Sequence, residues 1–357
     1  MWLFNSSIGR KLVMAITGAC LVLFVTFHVL MNSVALIWPT AYNQVCEFLG
    51  ANWYALVASA GLAFLFILHI IYAFWLTFQN RKARGNDRYA VTTRPPQVEW
   101  ASKNMLVLGI VILAFLVVHL IQFWAKMQWQ ELRHAELAVL PQLEGGIVLP
   151  AQGSLFLQIA FSQVWTPIVY IIGFVALWFH MNHGFWSMFH SAGFDNQTWL
   201  PRLKKIACWW TTIVIGLFIA QAIVFTVHAH SKYYLTDPEL QAQYAETLEE
   251  QAEPITANFE AELGSFSNTL REYSANGQGD MYKIQELQRD FLKQHGVAFL
   301  QKANVLLKAY QTQCPDVPMA PEGITKLETM FKQFKFAFTE LNVELPEGLQ
   351  DQPNQQQ

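Results

Sequence analysis

Apolar residues run in blocks along the first two-thirds of the chain. Five stretches, residues 12–38, 53–78, 104–125, 163–189 and 206–228, are apolar almost throughout. Each exceeds the ~20 helical residues that span a bilayer core, so the pattern predicts five transmembrane helices. Each has an internal glycine (Gly18, Gly61, Gly109, Gly173, Gly216), which suits close helix packing in lipid. Tryptophans gather near the ends (Trp38, Trp53, Trp100, Trp124, Trp165, Trp199, Trp209), as in an interfacial belt. After residue 230 polar residues return, and apolar ones recur at helical spacing (Ile284, Leu287, Phe291, Leu292). Helices are expected over 237–266 and 280–311, with a shorter one at 322–342. The breaks fall at Gly277 and Gly279 and at Pro315 and Pro318, and the final "DQPNQQQ" reads as disordered. The expected fold class is all-α: a polytopic five-helix bundle over 1–230 and a helical extension outside the membrane over 231–357.

Charge supports that division and sets an orientation. Charged residues make up 14% of the chain, against ~25% in an average soluble domain. Residues 1–230 carry a net +6 and residues 231–357 a net −9. Arg10 and Lys11 precede the first span; Arg81, Lys82, Arg84, Arg88, Arg94 and Lys103 fill the second connection; Arg202, Lys204 and Lys205 fill the fourth. The first connection, 39–52, has no Lys or Arg, and in the third, Lys126 and Arg133 are outnumbered by Glu131, Glu136 and Glu144. The positive-inside rule then puts the N-terminus in the cytoplasm and the acidic tail in the periplasm of a bacterial inner membrane. The first apolar run continues past Cys20 to Trp38, too long for a removable signal peptide. The four cysteines form no CxxC, and a Cys46–Cys314 disulfide is an option by topology alone.

Histidine is the residue that the apolar pattern does not explain. His28, His69, His119 and His180 lie well inside four different spans. A lone histidine of this kind is more often bonded to a neighbouring carbonyl. Four of them, one per helix, form two layers. At ~1.5 Å per residue, His28 lies ~16 Å and His119 ~10 Å from the outer edge, whereas His69 and His180 each lie ~26 Å from it. Metal ligation satisfies a buried imidazole, and two histidines from facing helices complete a six-coordinate b-type haem. Two such haems would make an electron path. Zinc would need four clustered ligands. His183, one turn from His180 and ~60° away around the helix, competes for the fourth position or meets a haem propionate. His190 reads as interfacial, and His134, His228, His230 and His295 as solvated.

The ordered segments "SSIGRKLVMAITGACLVLFVTFHVLMN", "LFILHIIYAFWLTFQNRKAR", "SKNMLVLGIVILAFLVVHLIQFW" and "ALWFHMNHGFWSMFHSAGF" resemble the dihaem cytochrome b anchor of succinate:quinone oxidoreductases and fumarate reductases, in its single-subunit, five-helix form. The resemblance covers about residues 5–230. It implies that His28 and His119 ligate a distal haem b and His69 and His180 a proximal one. His180 is followed four residues on by Gly184, as in the family's fourth motif. It also implies flavoprotein and iron–sulfur subunits on the cytoplasmic face, menaquinone as quinone, and room for a dimer of the complex. The chain lacks a flavin fingerprint and an iron–sulfur cysteine cluster, so succinate chemistry would belong to those partners. No nucleic acid is expected among them.

A quinone site needs a titratable group near the interface. Glu47, before the second span, is the candidate, weighed against a solvated loop residue. The family ends soon after its fifth helix, so the acidic tail departs from it. Two alternatives stay open: the dihaem anchor of a hydrogenase or formate dehydrogenase, and a haem-free transporter or structural anchor.

Overall fold

The computed structural model describes residues 6–84, 99–194, 196–275, 280–346 and 348–349. Arg88, Arg94, Gly277, Gly279 and the final seven residues lie outside them. The chain forms two compact units, Met1–Glu131 with Phe156–Lys232 and Leu132–Leu155 with Tyr233–Gln357. The division expected at residue 230 thus falls two residues later, and most of the third connection goes with the tail.

The helices of the first unit are α1 (Ser7–Ile37), α2 (Pro39–Ala51), α3 (Trp53–Arg84), α4 (Trp100–His119), the short α5 (Gln128–Leu132), α6 (Gly153–Phe161), α7 (Trp165–Ser191) and α8 (Trp199–His230). The last residues of α6 lie in this unit, as do the first of α5. A π-helical turn, Leu120–Trp124, prolongs α4. Five helices, α1, α3, α4 with its π turn, α7 and α8, are long and apolar enough to cross a membrane. Most overrun the apolar stretch that announces them. Arg10 and Lys11 lie within α1, Arg81 and Lys82 within α3, and Arg202, Lys204 and Lys205 within α8. Helical hydrogen bonding does not stop where hydrocarbon ends, and long basic side chains can reach the headgroups. Ser6 caps α1, its Oγ accepting from the Gly9 N–H at 2.9 Å. Pro39 ends α1 and opens α2, so the first connection is itself mostly helical.

Small side chains make the helix contacts of this bundle. Ala15, Thr17 and Ala35 of α1, Ala176 of α7, and Ala207, Thr211 and Ala222 of α8 are all buried. In lipid, close approach of backbones replaces the hydrophobic drive that water would supply. Buried hydrogen bonds add to it: the Gln221 Nε2 amide donates to Val29 O and Ser33 Oγ, each at 2.9 Å. The outward face is the reverse of a soluble one, with Leu23, Phe27, Phe64 and Trp209 exposed. Helix α3 is held from one side. It packs on α1, touches α4 only slightly, and has Tyr72 as its only buried residue among those described.

The second unit is helical except for a hairpin. Strands β1 (Gln142–Leu143) and β2 (Gly146–Ile147) pair antiparallel across Glu144 and Gly145, whose φ values of 51° and 90° suit a tight hairpin turn. The helices are the single turn α9 (Tyr233–Thr236), α10 (Pro238–Ala275), α11 (Met281–Phe291), α12 (Val297–Gln313) and α13 (Glu322–Glu340), with a π turn at Leu292–Gly296. Leu240, Tyr244, Leu248 and Ala252 form the buried stripe of α10, which packs on α12 and α13. The Gln313 Nε2 amide at the end of α12 donates to Ile147 O at 2.6 Å and so holds the hairpin. A Cβ on Gly146 would lie 2.9 Å from the Ala309 Cα, so only glycine lets the hairpin lie this close. Cys314 is buried here, and burial pushes its thiol up to about 12. Cys46 and Cys314 are both free thiols.

Candidate functional site

The four span histidines meet as two pairs. The His28 ring of α1 faces His119 at the end of α4, with centroids 5.8 Å apart. The His69 ring of α3 faces His180 of α7, with centroids 6.4 Å apart. Both pairs meet at a steep angle, 86° and 66° between ring planes. His183 joins neither pair: its Nδ1 lies 3.4 Å from Glu99 Oε2 and its ring 4.8 Å from Trp186.

Each pair has its own surroundings. His28 stacks on Phe24 with centroids 5.3 Å apart. The Asn32 amide lies 3.3–3.4 Å from both ring nitrogens of His28, and its Oδ1 accepts from Tyr42. His119 Nδ1 lies 3.2 Å from the Tyr170 hydroxyl, at the head of a buried polar chain through Gln122 to Thr166. His69 Nδ1 lies 3.1 Å from Thr17 Oγ1. Gly18 and Gly109 stand beside the inner pair; a Cβ on them would sit 3.7 Å from the His69 ring edge and 3.8 Å from that of His180.

These residues fit the haem that the resemblance implies. Two imidazoles on opposite sides of one metal, each at ~2 Å, have centroids ~6 Å apart. Both observed spacings match that value. Two buried polar atoms, His180 Nδ1 and Tyr72 Oη one turn beyond His69, have no hydrogen-bond partner among the described residues. No group of three or more His, Cys, Asp or Glu suited to a metal gathers among the described residues.

Glu47 lies on α2, exposed, at an open depression of about 500 Å³ that Gln44, Phe48, Trp53 and Tyr54 also line. Glu131 of α5 sits directly against Gly50, one turn along α2 from Glu47. Burial, with the charge of Glu47 added, pushes the Glu131 carboxyl above its ordinary value. At the other end of the bundle, Glu99 accepts from Lys204 Nζ at 2.7 Å, and Lys204 lies 4.4 Å from the Trp186 ring centroid. Burial works to raise the Glu99 carboxyl, yet the hydrogen bonds and charges of Lys204 and His183 outweigh it and hold it low.

Sequence reading misses Tyr170, Gln122, Thr17 and Glu131. Which threonine or tyrosine faces a histidine depends on how the helices are turned, and the π turn at Leu120–Trp124 alters that turn locally. A glutamine in an otherwise apolar run, as in "HLIQFW", is the one available signal.

The chain matches no protein-family model, curated protein or solved structure. By fold it is an all-α membrane protein, a bundle whose five long helices carry two facing histidine pairs.

Proposed function

We propose that the chain is a dihaem cytochrome b anchor, joining a cytoplasmic flavoprotein and iron–sulfur succinate dehydrogenase or fumarate reductase to membrane quinone. The observation that carries the reading is the pair of facing histidine couples, with ring centroids 5.8 and 6.4 Å apart on four different helices. His28 and His119 would hold one b-type haem, and His69 and His180 the other. When bound, the two haems supply one-electron transfer between the membrane faces. With two protein nitrogens as ligands, each haem would have no open position for oxygen or substrate, which favours transfer over bond chemistry. Purified with its partners, the complex should hold two b-type haems per chain and a flavin. Nickel or molybdenum in place of flavin would transfer the anchor to a hydrogenase or formate dehydrogenase. A reduced-minus-oxidised spectrum with no b-type band would sink the haem reading and leave a transporter or structural anchor.

Glu47 is the acid proposed to serve menaquinone. A quinone exchanges protons as well as electrons, and the Glu47 carboxylate borders a depression with aromatic walls. Glu131, raised by burial and by Glu47, would hold a proton more readily than an exposed carboxylate. Glu47→Gln should cut quinol oxidation by about 10²–10⁴-fold. Haem content and haem reduction by dithionite should stay unchanged. Full turnover in the variant would remove Glu47 from the mechanism. A second depression, about 420 Å³, opens beside Gln122 and Trp165, and would then be the next place to look.

A further inference from the structure

Two hydroxyl groups decide which nitrogen of a facing histidine carries the proton. Thr17 gives its single hydroxyl hydrogen to the helix carbonyls behind it, Val13 O at 2.9 Å and Met14 O at 3.2 Å. With that hydrogen on a carbonyl, lone pairs remain on the oxygen to accept from His69 Nδ1 at 3.1 Å when the ring is in its Nδ1–H form. This arrangement favours the Nδ1–H form of His69, in which Nε2 keeps the lone pair that a metal needs. The same logic holds in the other pair through a longer chain. The Gln122 Nε2 amide donates to Thr166 Oγ1 at 3.1 Å, which orients its Oε1 to accept from the Tyr170 hydroxyl at 2.9 Å. With its hydrogen committed there, Tyr170 Oη accepts from His119 Nδ1 at 3.2 Å. Tyr170 and Thr166 are both buried, as is Gln122, so water does not compete for these bonds. Neither of the other two histidines has a hydroxyl partner of this kind, and His180 is hydrogen-bonded to the Met105 backbone instead. Asn32 lies nearly equidistant from both nitrogens of His28, and His180 Nδ1 has no partner among the described residues.

We infer that Thr17 and Tyr170 are positioning residues, each locking one ligand histidine of one pair in the Nδ1–H form. The inference rests on the dihaem reading. A ligand imidazole that donates from Nδ1 is a more basic ligand at Nε2. It favours the more positive, oxidised iron and lowers the midpoint potential of its own haem. Each pair thus has one histidine with a hydroxyl partner, Thr17 on α1 for His69 and Tyr170 on α7 for His119.

The test is a redox titration of the two haem bands in the intact complex. Thr17→Val should raise the midpoint of one haem, and Tyr170→Phe that of the other. The expected change is about tenfold in the preference for the oxidised state, which is ~59 mV for one electron. Thr17→Ser restores the hydroxyl and should restore the midpoint. Selective loss of that haem in Thr17→Val, reversed by Thr17→Ser, would express the same bond as affinity. A wild-type complex without haem overturns the dihaem reading itself. Two haems with unmoved midpoints, or one variant moving both equally, overturn this inference alone.

Discussion

Alanine in place of His28, or in place of His119, is expected to remove one haem of the two, and the same one in both variants. On the dihaem reading each ring would supply one side of a single metal position, and the centroid spacing of 5.8 Å leaves room for one metal atom between them. Losing either side leaves the iron one strong ligand short. The His28/His119 double variant should therefore lose no more haem than either single one, because the two residues act as a unit. Alanine at His69 or His180 should remove the other haem, and a His28/His69 double variant should remove both. Haem-to-protein ratio and the position of the remaining α-band read the outcome. If His28→Ala and His119→Ala delete different haems, the pairs are wrongly drawn. If neither changes haem content, the facing rings serve packing alone.

Gly173→Ala is expected to be the most damaging of the glycine substitutions within the spans. A Cβ at this position of α7 would meet the ring of Phe115 on α4, and also its Cβ at 2.9 Å. Rotating the phenylalanine cannot remove the second overlap, so the two helices must part. Overpacking of this kind costs about 1–3 kcal/mol. Phe115 also packs against His119, with ring centroids 6.0 Å apart, and against Tyr170 at 5.0 Å, so the displacement reaches the histidine pair. Gly61 and Gly216 are the controls, because a Cβ there would meet nothing within 4 Å. Alanine at either should be neutral or stabilising by up to ~1 kcal/mol. Thermal unfolding in detergent, followed by circular dichroism and by haem absorbance, compares them. Equal midpoints for Gly173→Ala and Gly61→Ala would contradict the close approach.

The spans were legible in the sequence because a bilayer demands length and apolarity from consecutive residues. Their ends were not, because Arg10, Lys82 and Lys204 are compatible with helix and differ from the span only in polarity. Helix α2 went unread as a helix. It is short and has no charge pattern, although Pro39 just after the break is the ordinary opening signal. The layering of the histidines came from counting rise per residue, and the rings that face one another are the two couples of matching depth. What counting cannot give is rotation about the helix axis. Thr17 and Tyr170 therefore went unnoticed, as did Glu99, whose partner Lys204 lies on another helix more than a hundred residues on. The place of residues 132–155 was hidden for a related reason. Their anchors, Gln152 on Gln313 and Ser154 on Tyr244, join segments remote in the chain that no local pattern connects.

Helix α3 leans mainly on α1, and its His69, half-buried, reaches the His180 ring of α7. On the dihaem reading, His69 and His180 would hold one group between them and so fasten this helix to α7. Without such a group, α3 would be the span most ready to detach, because its other contacts are mainly with α1. On that reading, assembly of the bundle would depend on supply of the porphyrin.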